Sequence, residues 1–486
     1  MTMKTKAYAA VRWTTFVTVA RVLLQTLQLV VLARVISRQD FGLMAMILSV
    51  TAFIQLFADL GVSNSIIHAR EISRPVLSTL YWLNLLVGAL LSLAVWLASP
   101  WAAHFYNEPA LAMPLALSGL SFLLLAIGQQ VKVLAEKRLA FRPIALVELT
   151  SAIVSTTLTI AAAAWGAGVY SLVIGVLALS GGNSLLYLIF ARDGWWPGLH
   201  LKFRESAPHL KAGLYLLGTS LANTATIQAD VIIVGRMLGS AALGLYTVPR
   251  ELSLKVMLAT NPIVTRVGTP LMAQAQGDRD LLKRVYLSTI RMTSSINFPI
   301  YGAMAAFRHE IVAVVFGAAW AQSADLLGIM AIWGMFRSLG NPVGSLLYGT
   351  GRTRLALAQS LGVTILIIPA IYIGGFWGTS GVAAALTLFY IGFTFAVWLF
   401  VVRPLTGATL WAYTEQWATP LLVVALTCAA ALAAAYPFEA TLPRLLLGLS
   451  MGGVAYLAIS WFLNRKWCSA ILGLMGLRHA KKAEAI

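Results

Sequence analysis

The sequence predicts an all-α integral membrane protein of about fourteen transmembrane helices, and three observations carry that prediction. First, apolar runs of about 20 residues succeed one another between Trp13 and Leu463, the length that crosses a hydrocarbon core as a helix. Second, 59% of the 486 residues are hydrophobic and only 11% are charged, with a mean hydropathy of +0.82. A soluble domain of this size could not cover its surface with so few charges. Third, the Lys and Arg residues fall mostly between the runs and gather on alternate connections. The runs lack strict two-residue alternation, which argues for helices over a β-barrel.

Taken in order, spans are expected at 14–35, 41–61, 80–99, 113–134, 144–164 and 169–191. A second group follows at 213–235, 243–272, 286–306, 323–347, 355–374 and 378–402, and a last pair at 418–436 and 444–463. The first span follows a basic start, as a signal peptide would. Its length, its Arg21 and the lack of an obvious small-residue cleavage site mark it as retained. Thr2 rather than Gly follows Met1, so N-terminal lipidation is not expected. The spans at 80–99, 169–191, 355–374, 378–402 and 418–436 carry no charge. Pro249, Pro262 and Pro270 fall in the eighth span and Pro299 in the ninth, each a point where a helix bends and frees carbonyls. Gly340–Gly344 and Gly448–Gly452 are small-xxx-small pairs expected to let helices approach closely. The longest connection, 192–212, opens on Trp195-Trp196-Pro197-Gly198, a cluster suited to the interface.

The net charge of +18 invites a nucleic-acid reading, which fails once the charges are placed. About 25 Lys and Arg fall on one side of the expected membrane, against six on the other. Those six are Arg34, Arg38, Arg236, Arg250, Arg308 and Arg444. The bias puts both termini in the cytoplasm, so the basicity is topological. Cys428 lies inside a late span and Cys468 near the end of the chain, which gives no disulfide framework. HExxH, CxxC and Walker A motifs are missing, and the six His residues are scattered. No metal, no cofactor and no enzymatic activity are expected.

A weak repeat divides the chain. The stretch 31–46 resembles 233–248 at an offset of 202, so that Arg34 falls on Arg236, Gly42 on Gly244 and Leu43 on Leu245. Farther on, Trp165-Gly166 with Gly168-Val169 is echoed by Trp377-Gly378 with Gly381-Val382. The order favours two six-helix lobes of like topology, related by an axis along the membrane normal. The expected division is 1–210 (helices 1–6), 211–404 (helices 7–12), and 405–486 with two additional helices and a basic tail.

Spans 1 and 2 then correspond to spans 7 and 8, and these four concentrate the buried charge: Arg21, Asp59, Asp230, Arg250, Glu251, Lys255 and Arg266. Arg337 lies near the middle of span 10. A charge at that depth is costly unless it faces a bundle interior or a wet cavity, so it marks function or an internal ion pair. Arginine suits phosphate because its planar fork donates two parallel hydrogen bonds, while lysine acts as a point charge. Arg21, Arg266, Arg337 and Lys255 are therefore the candidate substrate-binding residues for an anionic solute. Asp230 and Glu251 are candidates for energy coupling, a buried carboxylate being able to carry a proton or hold a cation. A salt bridge from Asp230 to Arg236 or Arg250 is the competing reading. Asp59 and Glu148 are expected at helix ends or in ion pairs.

Several segments resemble a known family. They are Leu32-Ala33-Arg34 through Asp40-Phe41-Gly42-Leu43, Asp59-Leu60-Gly61-Val62, Arg138-Leu139-Ala140-Phe141-Arg142, Gly166 through Val173, Phe316-Gly317 with Trp320, and Gly344 through Thr353. Together they are similar to bacterial polysaccharide flippases of the multidrug/oligosaccharidyl-lipid/polysaccharide exporter superfamily, in the colanic-acid-exporter-like branch. The resemblance spans most of residues 14–400; the tail beyond about 405 matches by hydropathy alone. It implies two six-helix lobes around a central cavity that opens alternately to each side, lined by spans 1, 2, 7 and 8. It also implies a polyprenyl-diphosphate-linked oligosaccharide as cargo, moved across the bacterial cytoplasmic (inner) membrane, with membrane lipids and the polysaccharide polymerase machinery as partners.

Three other readings compete. A drug/cation antiporter of the same superfamily would have to accept cationic cargo in a net-basic cavity. An integral-membrane polysaccharide polymerase or ligase would need larger outer loops. A structural scaffold would leave the buried charge without a purpose.

Overall fold

The computed structural model describes residues 3–58, 63, 66–67, 72–192, 194–198 and 203–474, without the side chains of 3–12, 14–15, 18, 203–219, 262–263, 266–267 and 470–474. Every described element is helical. Helices α1 (Met3–Val35), α2 (Arg38–Gln55), α3 (Arg74–Tyr106), α4 (Pro109–Lys137, its first turn 3-10), α5 (Phe141–Ala164) and α6 (Val169–Phe190) come first. A long run, α7 (Phe203–Gln274), follows. Next are α8 (Arg279–Ala306), α9 (Arg308–Val315), α10 (Ser323–Ser338) and α11 (Gly340–Gly349). The chain ends in α12 (Thr353–Gly375), α13 (Gly378–Thr406), α14 (Leu410–Ala435), α15 (Thr441–Leu463) and α16 (Arg465–Leu474).

Among the described residues, nine helices are long and apolar enough to cross a membrane, and α8 with α9, bent by 79°, makes a tenth. They present Leu90, Trp96, Ile365, Leu388 and Val454 outward, each more than half exposed, as lipid-facing residues would be. Several helices outrun their apolar stretches. The 80–99 run lies inside a helix of 33 residues, and the expected 192–212 connection is shortened by a helix that starts at Phe203. Hydropathy marks the hydrocarbon thickness, whereas a helix continues until its backbone is capped.

The chain divides into two compact units, Met1–Thr247 and Val248–Ile486. In the first, α5 packs on α6 and α1, and α4 on α3 and α6. Small hydroxyls seal the seams: Ser155 donates to the Gly175 carbonyl and Ser92 to that of Gly119, both at 2.7 Å. Such groups let backbones approach while satisfying their own polarity. In the second unit α8 packs on α10 and α14, α13 on α10 and α12, and α14 on α15. Gly448 meets the Phe307 ring, as a small-xxx-small residue should, but a Cβ at Gly340 or Gly344 would touch no described atom.

The family-like motifs acquire local reasons. Ser37 caps α2 through a capping box with Asp40, and Asp40 Oδ1 also accepts from the Val169 N–H at the start of α6, at 2.9 Å. One carboxylate thus serves two helix N-termini, where negative charge is favoured. Arg138 reaches from the end of α4 to the Ala191 carbonyl beyond α6, at 3.0 Å. Trp82 and Ser78 of α3 hold Gly198, in the connection after α6, through its carbonyl and N–H.

Helix α7 is interrupted at Gly239, whose φ of 81° and ψ of 177° are not helical. Glu108 accepts from both the N–H and the hydroxyl of Ser240 and so caps the segment that follows. The crossing beside it is tight. A Cβ on Gly42 would lie 1.8 Å from the Ser240 carbonyl oxygen, and one on Gly244 would lie 1.8 Å from that of Arg38. Only glycine fits at either place. Under the offset of 202, Gly42 corresponds to Gly244 and Arg38 to Ser240, so the two contacts are one contact made twice.

Candidate functional site

In the first unit the buried charge converges on Glu148 of α5. Its Oε2 lies 3.2 Å from Arg21 of α1, and its Oε1 lies 3.1 Å from Lys132 of α4 and accepts from the Tyr187 hydroxyl of α6 at 3.3 Å. Glu136 adds a longer contact to Lys132, 3.9 Å. Two cations and two carboxylates leave the cluster neutral. Arg21 keeps 38% of its side-chain surface exposed and, among the described residues, meets one carboxylate through one terminal nitrogen, which leaves donors for another anion. Lys132 and Tyr187 were not among the expected site residues. Lys132 sits near a helix end and counts there as a topological charge, and a tyrosine in a span carries no charge to notice.

Asp230 is 4% exposed. Its Oδ2 accepts from the Tyr246 hydroxyl at 2.8 Å, a bond that bridges the break at Gly239. The tyrosine, not foreseen from sequence, fixes the carboxylate across the two segments of α7. Arg236 lies 5.9 Å from the Phe105 ring centroid.

In the second unit Arg250, buried at 3%, pairs with its neighbour Glu251 at 3.1 Å. Lys255, one turn on, is half-buried and makes no ion pair within 4 Å among the described residues. The side chain of Arg266 lies outside the described residues, as does Asp59. Arg337 is placed differently from Arg21. Its guanidinium lies 4.9 Å from the Trp333 ring centroid and 5.6 Å from that of Tyr390, with no carboxylate at ion-pair distance among the described residues. It occupies the last turn of α10, where the helix dipole favours a cation, just before a turn at Leu339 that separates α10 from α11. Aromatic faces hold a guanidinium by cation–π attraction without consuming its N–H donors.

A further buried arginine is structural. Arg291 of α8 is 6% exposed, bonds to Gln416 at 2.8 Å and pairs with Glu415 at 2.9 Å, tying α8 to α14. In the sequence it sits near the start of the apolar run 286–306, where it counts among the cations of the cytoplasmic side rather than as a buried charge.

The comparisons with known proteins agree with this architecture. The family model for polysaccharide biosynthesis protein matches residues 31–325. The chain is 31% identical over 410 residues to the lipopolysaccharide biosynthesis protein WzxC of Escherichia coli (strain K12), covering 84% of this chain and 83% of that one. It is 28% identical over 420 residues to the teichuronic acid biosynthesis protein TuaB of Bacillus subtilis (strain 168), covering 85% and 86%. Among solved structures it is similar to the lipid II flippase MurJ in an inward closed conformation, with a TM-score of 0.73 at 13% identity over 94% of this chain and 99% of that one. An inward-facing MATE family multidrug transporter has a TM-score of 0.59 at 13% identity, over 84% and 95%. These two show the fold alone. With more than half its length matched by the family model and a relative above 30% identity, the chain belongs to the polysaccharide biosynthesis protein family, and its long apolar helices are those of a multi-pass membrane protein.

Proposed function

We propose that the protein flips polyprenyl-diphosphate-linked oligosaccharide repeat units across the bacterial inner membrane by alternating access of a cationic cavity. The observation that carries this reading is Arg337, a guanidinium stacked on Trp333 and Tyr390 inside an apolar span, with no carboxylate at ion-pair distance among the described residues. A half-buried cation held by aromatic faces, with donors to spare, is matched to a diphosphate. In this reading Arg21, Arg266 and Lys255 complete the phosphate site, and fourteen crossings place both termini in the cytoplasm. The lobes divide as 1–210 and 211–404, with 405–486 appended. A cationic drug would be repelled by these side chains, which disfavours the antiporter reading.

Coupling is assigned to Asp230, with Glu251 second. Asp230 is the more buried, and Tyr246 holds it across the Gly239 break, so a change in its protonation or in a bound cation would be felt by both segments of α7. An inside-negative potential also favours outward movement of the anionic cargo, by about 2.3 kcal/mol per charge per 100 mV. The test is flipping of a lipid-diphosphate-linked oligosaccharide in proteoliposomes under an imposed pH or sodium gradient. Wild type should respond to one gradient and Asp230→Asn should lose that response; equal responses would make Asp230 structural, and no flipping at all would overturn the cargo.

Orientation has its own test. In a background with Cys428 and Cys468 replaced by Ser, a cysteine at Glu439 should label from outside intact cells and one at Gly277 should not. The reverse pattern would invert the topology.

A further inference from the structure

A second cationic feature lies away from the residues assigned to cargo. Where α13 ends and α14 begins, a cavity of about 420 Å³ is lined by Arg279, Leu399, Arg403, Pro404, Gly407, Ala408 and Thr409. Its construction is specific. A π-helical turn, Trp398–Val402, widens the end of α13 just before Arg403. Gly407, at φ 69°, reverses the chain, and Trp398 Nε1 donates to the Ala408 carbonyl at 3.0 Å to hold the reversal. The Arg279 guanidinium enters from the start of α8 and lies 3.2 Å from where a Gly407 Cβ would be. One of its terminal nitrogens donates to the Arg403 and Pro404 carbonyls, at 3.4 and 3.2 Å.

Both arginines are exposed and neither has an acidic partner within 4 Å among the described residues. Asp278, beside Arg279, is engaged in capping α8 through the N–H groups of Asp280 and Leu281. Arg403 rests 5.8 Å from the Trp398 ring centroid, a contact that positions it without consuming its donors. The third wall is the N-terminus of the 26-residue α14, capped by Thr409, whose dipole adds positive potential. Trp411, 79% exposed in the first turn of α14, and Trp398 put the cavity at the depth of an aromatic belt. Two guanidinium groups and a helix N-terminus around one cavity at that depth select an anion that is itself part of the membrane.

We propose that this cavity binds the phosphodiester headgroup of an anionic phospholipid, in the leaflet that the charge bias identifies as cytoplasmic. Basic pockets between helices on that side are suited to such headgroups. The site is separate in sequence from the cargo residues and does not depend on what the cargo is.

The experiment uses the full-length protein in detergent, titrated with dihexanoyl phosphatidylglycerol, dihexanoyl phosphatidylcholine or inorganic phosphate, with native mass spectrometry as the readout. Phosphatidylglycerol should be retained at least tenfold better than phosphatidylcholine, and R279Q/R403Q should lose that preference. Arg465→Gln, which removes an exposed cation outside the cavity, should keep it. Thr409→Asp guards against a misfolded double variant, because aspartate preserves the helix cap while placing a negative charge in the cavity. It should lose phosphatidylglycerol and retain its melting temperature. Undiminished lipid retention in both R279Q/R403Q and Thr409→Asp would overturn the site. Binding of inorganic phosphate without phosphatidylglycerol would overturn the lipid as its occupant.

Discussion

Arg21 and Arg337 look alike in the sequence, each a lone arginine inside an apolar run, and the fold treats them oppositely. Arg21 joins a neutral cluster in which Glu148 is shared with Lys132 and Tyr187. Arg337 is held by two aromatic rings and keeps its charge uncompensated by any described carboxylate within 4 Å. An ion pair lowers the cost of a cation in a membrane by giving it a permanent partner, whereas an aromatic cradle lowers it while leaving the hydrogen-bonding edge for a ligand. The first solution suits a residue at the edge of a site, already matched in charge and contributing only its spare donors. The second suits a site that must bind an anion and release it.

The largest effect that would test this contrast is on transport. Arg337→Ala should reduce flipping in proteoliposomes at least about 100-fold, corresponding to about 2.7 kcal/mol, and Arg337→Lys should restore only part of it. Arg21→Ala should cost no more than about tenfold, since a cluster already matched in charge loses one member. Equal losses at the two positions would break the distinction.

Next in size is an effect on stability at a place where the first unit depends on contact rather than charge. Gly42→Ala must displace the Ser240 carbonyl, and overpacking of this kind costs about 1–3 kcal/mol. The purified variant should melt several degrees below wild type, as should Gly244→Ala. An unchanged melting temperature would show that the crossing yields easily.

The smallest effect lies within the Glu148 cluster. A double-mutant cycle between Arg21→Ala and Glu148→Gln should give a coupling of about 0.5 kcal/mol or less, because Arg21 is 38% exposed and its pairing is screened. A coupling several times larger would make Arg21 a structural residue and remove it from the cargo site.

Much of the fold was legible because the membrane imposes one length and one polarity on every crossing. The charge in span 1 located Arg21, and the charge in span 10 located Arg337. Their surroundings were not legible. Glu148 is 127 residues from Arg21, and no periodicity links α1 to α5; Trp333 and Tyr390 are ordinary apolar residues until the fold brings Arg337 over them. Lys132 and Arg291 were read as topological charges, since hydropathy sees the end of an apolar run and not the packing beyond it. The break at Gly239 appeared in the sequence as an ordinary connection, because neither the capping by Glu108 nor the single non-helical residue leaves a local pattern. The repeat was visible as a match of Gly42 to Gly244, but its cause, two backbones in contact, needed the structure.

That crossing has an ancestral meaning. In a two-fold dimer, residue i of one copy meets residue j of the other, and j meets i. Gly42 against Ser240 and Gly244 against Arg38 obey this rule with both copies written into one polypeptide. A half-length forebear could have made the same contact by pairing with itself, with one glycine serving both sides. In the single polypeptide the two glycines are separate genetic positions under one steric demand, so a change in either copy cannot be buffered by the other.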